Sequence, residues 1–222
     1  MSCVQARVGY EPLANVRWYK KLQARLVGHG SESYERKVHV YKERLFGSLR
    51  GRILEVGAGG GINLRHLDPG VEYVGLEPNE YSLLELRKRA QARGLAHADA
   101  VLGAAEQLPF DDRSFDAVFC SLVFCTVHDV ESGLAEIRRV LKPGGRFAFV
   151  EHVGAPKGTA LRRIQRGIRP VWEVLGDGCH PDRDTAAAIR AAGFDRVDLE
   201  ELRLHLPVVG THIAGQAWKA AH

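Results

Sequence analysis

The sequence predicts an α/β protein in which a mostly parallel sheet, covered by helices, ends in an antiparallel pair of strands. Three observations carry this. From Arg52 onward, short apolar runs alternate with amphipathic helical patterns, as in right-handed crossovers between parallel strands. A glycine-rich stretch, "GAGGG" at residues 57–61, directly follows the first apolar run. Near the end of the chain the alternation stops, and two strand-like runs follow one another with no helix between them.

Taken in order, the first 50 residues read as two helices, "ANVRWYKKLQARL" and "YERKVHVYKERLFGSL", packed outside the core unit. "RILEV" is a first strand and "GGINLRHL" the start of a helix. "VEYVGLE" is a second strand, followed by the amphipathic helix "EYSLLELRKRAQAR" with Gly94 as its stop. "ADAVLG" and "SFDAVFCSLVF" read as the third and fourth strands. The helix "VESGLAEIRRVL" ends at "KPGG", and "RFAFVEHV" is the fifth strand. An arginine-rich insert, "KGTALRRIQRGIRPVWEVL", precedes the helix "DTAAAIRAAGF". "RVDLEELRLHL" and "GTHIAGQAWKA" form the terminal antiparallel pair.

Bulk properties narrow the function. The 222 residues, 45% hydrophobic and 26% charged, fit one domain: a helical cap at 1–50, a core at 51–153, and the insert with the last strands at 154–222. A net charge of +4 without a basic stripe argues against a nucleic-acid partner. Cys3, Cys120, Cys125 and Cys179 are scattered, as expected for a reducing, cytoplasmic setting. No apolar run approaches the roughly 20 residues of a membrane span. Peripheral contact through the basic, amphipathic "VRWYKKLQARL" stays open, and so does the oligomeric state.

Ligands of open α/β sheets bind beyond the carboxyl ends of the strands. The loop reads E-x-G-x-G-x-G from Glu55 through Gly57, Gly59 and Gly61, which is not the G-x-G-x-x-G of nicotinamide binders. Glu55 offers an acceptor for an ammonium group. Glu77, about 20 residues past the loop, stands where an acidic residue accepts from both ribose hydroxyls. A tight turn with incidental glycines is the competing reading, and Glu77 weighs against it.

The segments "LEVGAGGG", "VGLEPN", "GAAEQLPFDDRSFDAVFCSLVF" and "RRVLKPGGRFAFVEH" resemble the class I S-adenosylmethionine-dependent methyltransferases that act on small molecules. The resemblance implies a Rossmann-like seven-stranded sheet of order 3-2-1-4-5-7-6 with strand 7 antiparallel. It implies S-adenosyl-L-methionine as cofactor and S-adenosyl-L-homocysteine as product. Gly57, Gly59 and Gly61 would approach the methionine and ribose, and Glu77 would hold the ribose, with Pro78 and Asn79 beside the adenine. Ala105 and Glu106 would flank the adenine from the other side, and Ser121 would lie near the methionyl part. Many relatives carry an acidic residue where Ala104 stands, so a backbone carbonyl or Glu106 must accept from the adenine amino group here.

"CSLVFCTV", "VLKPGGRFAFVEHV" and "PVWEVLGDGCHPDRDT" are similar, more narrowly, to the alkyl thiol methyltransferases, which convert a small thiol to a methyl thioether. A thiol is therefore the leading acceptor. The amine or hydroxyl of a secondary metabolite, or a phospholipid amine, comes next. Methyl transfer by in-line displacement depends on positioning, and a histidine can take an acceptor's proton at neutral pH. His152 in "VEHVG", His128 in "CTVHD" and Asp177 in "GDGCHPDRD" are the candidates for that work. "CHPD" lacks a second ligand pair at usable spacing, so no metal is expected. A nicotinamide-dependent oxidoreductase and a cofactor-binding sensor without turnover are the rival classes.

Overall fold

In the computed structural model, which describes residues 32–176 and 178–221, seven strands form one sheet in the order β3-β2-β1-β4-β5-β7-β6. They are β1 (Arg52–Val56), β2 (Glu72–Glu77), β3 (Ala98–Leu102), β4 (Phe115–Ser121), β5 (Leu141–His152), β6 (Arg196–Arg203) and β7 (Thr211–Trp218). The first five pair in parallel, and β7 runs antiparallel to both β5 and β6. The helices are α1 (Glu32–Phe46), α2 (Glu80–Ala92), α3 (Val130–Val140), α4 (Ala160–Leu175) and α5 (Thr185–Ala191). The expected helix "ANVRWYKKLQARL" lies outside the described residues, as does Asp177.

Both faces of the central strands are buried, so these strands are nearly continuous apolar runs. Alternation still sorts their side chains into two cores. Leu54, Val118, Phe147 and Phe149 join Leu134 and Ile137 of α3 on one face. Ile53, Phe119, Ala148 and Val150 join Val38 and Phe46 of α1 on the other. Phe46 packs at 4.7 Å, its ring tilted, against Phe119 and so ties α1 to the middle of the sheet. Among the described residues no helix is long and apolar enough to cross a membrane.

Helix ends follow their local chemistry. Asn79 caps α2 by accepting from Tyr81 N, and Asp129 caps α3 by accepting from Glu131 N and Ser132 N. Gly94, at φ +70°, closes α2 through bonds from Gly94 N to Gln91 O and from Leu95 N to Ala90 O.

Three expectations need correction. "GGINLRHL" does not start an α-helix but makes a 3-10 turn, Ile62–His66, because Asp68-Pro69-Gly70 ends it almost at once and Asn63 is drawn inward. "KPGG" does not lie outside the fifth strand: β5 begins at Leu141, and the pairing register with β4 shifts between Phe115 and Ala117, which absorbs the glycines as a bulge. The fourth strand stops at Ser121, since Leu122 takes φ +58° and turns the chain out of the sheet.

Candidate functional site

The carboxyl ends of β1 to β5 lie on one edge of the sheet and carry the expected site residues. Gly57, Gly59 and Gly61 all have positive φ, of 67°, 52° and 80°. Gly61 is held by packing, because a Cβ there would stand 2.7 Å from Leu86 Cδ1. Gly59 is different. A Cβ there would meet nothing within 4 Å, so this backbone faces open space where a ligand can approach.

Glu77, at the end of β2, reaches back to the loop. Its Oε2 accepts from Gly59 N at 2.9 Å and its Oε1 from Asn79 N at 3.0 Å, which fixes the carboxylate at the loop's open side. Pro78 is exposed beside it, and Asn79 is occupied as the α2 cap. Ala105 is buried against α3. Glu106 accepts from His128 N at 2.8 Å and Asp129 N at 3.4 Å, joining the loop after β3 to the entrance of α3. Ser121 is half-buried at the end of β4.

Glu55 has no exposed surface. Its two oxygens accept from Asn63 Nδ2 at 2.6 Å and from the Tyr73 hydroxyl at 2.5 Å. Burial pushes its pKa up to about 7 against these bonds. Asn63 also accepts from Lys42 Nζ at 2.7 Å, and Lys42 pairs with Glu35 at 2.5 Å. A buried polar chain therefore runs from α1 to the strand beneath the glycine loop.

At the ends of β4 and β5 the surroundings are drier. His152 is buried, and its Nε2 lies 3.0 Å from Cys179 Sγ, which also accepts from Trp172 Nε1 at 3.3 Å. Hydrogen bonding from Cys125, which outweighs the cost of burial, and then the His152 ring lower the pKa of the Cys179 thiol. The His212 ring stands 6.1 Å from that of His152, and Tyr34 of α1 lies 5.5 Å from His212. Burial, and then electrostatic opposition from the neighbouring His152 ring, hold His212 down at about 4. His128, in contrast, is exposed next to the cap Asp129.

Sequence reasoning missed Glu151. Its Oε1 accepts from Val123 N at 2.9 Å and Cys120 Sγ at 3.2 Å, and its Oε2 from Phe124 N at 3.1 Å. It thereby braces the loop after β4 from inside the core, and burial raises its pKa to about 7. A lone acid inside the apolar run "RFAFVEH" was the available signal. Arg162 is a second surprise. It belongs to the arginine-rich insert, yet it is buried with Nη1 donating to Ala155 O.

The methyltransferase-domain family matches residues 54–149. The thiol S-methyltransferase TMT1B of Rattus norvegicus is 33% identical over 223 residues, covering 95% of this chain and 89% of its own. The chain belongs to the class I S-adenosylmethionine-dependent methyltransferases. The human thiol S-methyltransferase TMT1A is 34% identical over 84% of this methyltransferase and 81% of its own length. The [4+2]-cyclase SpnF shares the fold at a TM-score of 0.66, covering 85% of this chain and 81% of its own, with 22% identity. At that identity the likeness speaks to the fold alone.

The methyltransferase uses S-adenosylmethionine, and its residues fit that group. Open backbone at Gly59 leaves room for the amino-acid and ribose portion, and the Glu77 carboxylate stands next to it, held by Gly59 N and Asn79 N. Glu77→Ala is expected to weaken cofactor binding by about 1.5–3 kcal/mol, roughly 10- to 150-fold in Kd, through loss of charged hydrogen bonds. Isothermal titration with S-adenosylhomocysteine checks this, and an unchanged Kd would place the ribose elsewhere.

Proposed function

We propose that this methyltransferase methylates the sulfur of small thiols. The observation that carries the reading is the buried contact of His152 Nε2 with Cys179 Sγ at the ends of β5 and the α4–α5 connection. The relatives named thiol S-methyltransferases, matched over most of both chains, support it.

S-adenosylmethionine supplies an electrophilic methyl on a sulfonium. A thiolate acceptor and a sulfonium donor cancel charge as the methyl passes, so apolar walls favour the transition state. The same dryness opposes loss of the thiol's proton. Residues at the site must therefore offset that cost. His152 is the polar group placed to do so, as the residue that holds or deprotonates the acceptor sulfur. His212 and Tyr34 form the wall beyond it, and Glu151 fixes the loop on the other side. Glu77 with the glycine loop would hold the ribose, and Ala105 and Glu106 the adenine. The free thiols of Cys120, Cys125 and Cys179 agree with a reducing, cytoplasmic setting.

The test is incubation with methyl-labelled S-adenosylmethionine and a panel of alkyl thiols, aryl thiols, phenols, amines and phospholipid, with mass spectrometry locating the label. Label on thiol sulfur is expected. Label on nitrogen or oxygen with every thiol inert would overturn the thiol assignment.

A further inference from the structure

Among the described residues, two groups of side chains bring donor atoms within 4.8 Å of one another: Cys125, His152 and Cys179, and His39, Glu43 and His66. The second has two exposed members and an ordinary explanation, since the exposed Glu43 pairs with the buried His66 at 3.0 Å. The first is buried throughout, and its His152 ring stands 6.1 Å from that of His212. Two thiols and an imidazole with no carboxylate make a soft donor set, the kind that selects zinc over magnesium or calcium.

We propose that Cys125, His152 and Cys179 bind one zinc ion, with the fourth position directed at the acceptor. Two thiolates and a neutral imidazole balance a divalent cation, so the complex carries no net charge into the core. Tetrahedral zinc spaces two sulfurs by about 3.8 Å and sulfur from nitrogen by about 3.6 Å. The three donor atoms already lie within 4.8 Å of one another, and the 3.0 Å gap between His152 and Cys179 needs to open by only about half an ångström. The backbone holds the donors in place. His180 N donates to Cys125 O at 2.8 Å and so stitches the two cysteine segments together. Arg183 grips the Cys125 loop through Phe124 O at 2.8 Å, and Glu151 anchors the same loop from below. Trp172 Nε1 donates to Cys179 Sγ, as a partner to a metal-bound thiolate should. "CHPD" by itself lacked a second ligand pair. The fold supplies it from β5 and from the loop after β4.

Three protein donors to a four-coordinate ion are the pattern of a catalytic rather than a structural site. With the ion bound, His152 would act on the acceptor through the metal and not as its base: the open position would take an acceptor thiol as its thiolate, the thiol's proton passing to solvent. The thiolate's lone pair would form the new S–CH3 bond while the donor's S–CH3 electrons stay on S-adenosylhomocysteine. The ion's place does not depend on the thiol reading, although this use of it rests on that reading.

The test uses the full chain without a histidine tag, purified under reductant, loaded with zinc chloride and dialysed against metal-free buffer. Atomic emission is expected to find about one zinc per chain. The cobalt(II)-loaded protein is expected to show a thiolate-to-cobalt charge-transfer band together with visible bands of tetrahedral intensity. Cys125→Ser and Cys179→Ser should lose the metal and the band, and His39→Ala should keep both. The wild-type spectrum reports thiolate ligation even if a variant fails to fold. No retained zinc and no such band would overturn the proposal. Loss of metal in His39→Ala with retention in the cysteine variants would do the same, as would a mass showing a Cys125–Cys179 disulfide in place of the ion. Metal content is read without acceptor or cofactor. Zinc without thiol turnover would therefore sink only the thiol reading, and thiol turnover without zinc only this one.

Discussion

Lys42→Met is expected to lower the folding free energy by about 3–5 kcal/mol, read as a lower urea midpoint at unchanged slope. The Lys42 ammonium is only 1% exposed and has two partners, Glu35 at 2.5 Å and Asn63 at 2.7 Å. Burial lowers its pKa, and the Glu35 carboxylate opposes that shift. Burial would raise Glu35, but His66 and Lys42 together hold it below its ordinary value. Removing the cation therefore strands a buried carboxylate and frees an Asn63 oxygen, which costs more than the pair itself contributes. Glu35→Gln combined with Lys42→Met should restore most of the loss, because no unpaired charge then remains. A single-variant loss below about 1 kcal/mol would mean that water reaches Glu35 and that α1 is not locked to the sheet through this chain.

The second large effect is on catalysis. His152→Ala is expected to reduce kcat by on the order of 10²–10⁴-fold while the Kd for S-adenosylhomocysteine changes little. His152 touches Cys179, whereas the residues proposed to hold the cofactor gather around Gly59 and Glu77. Single-turnover methylation together with calorimetry separates the two quantities. Equal losses in both would make His152 a packing residue of β5 and would move the acceptor away from it.

Much of this was legible in the sequence because strands buried on both faces leave long apolar runs between turn residues. The terminal antiparallel pair showed itself by the missing helix between "RVDLEELRLHL" and "GTHIAGQAWKA". The nearness of Glu77 to the glycine loop was legible because the end of the second strand returns beside that loop. The misreadings were local contests. "GGINLRHL" has a helical pattern, yet Asn63 gains more from Glu55 and Lys42 inside than a free helix surface would offer. "KPGG" has the composition of a helix stop, yet the sheet takes it in as a bulge. The meeting of Cys125, His152 and Cys179 was illegible for a different reason. Each sits on a separate segment, and only the twist of the sheet and the path of the α4–α5 connection bring them together. Pairing rules based on sequence spacing cannot see such a convergence.

The position of β7 has a consequence for how the enzyme comes into being on the ribosome. β7 is synthesised after the other six strands, yet it lies between β5 and β6. Until it emerges, β5 has an open edge and β6 has no neighbour in the sheet. The glycine loop, Glu77 and the bracing of Glu151 all lie upstream, so the nascent chain can shape its nucleotide end early. His212 sits directly opposite His152 and arrives only with β7. The His152 end of the sheet is thus completed only once β7 has paired with β5.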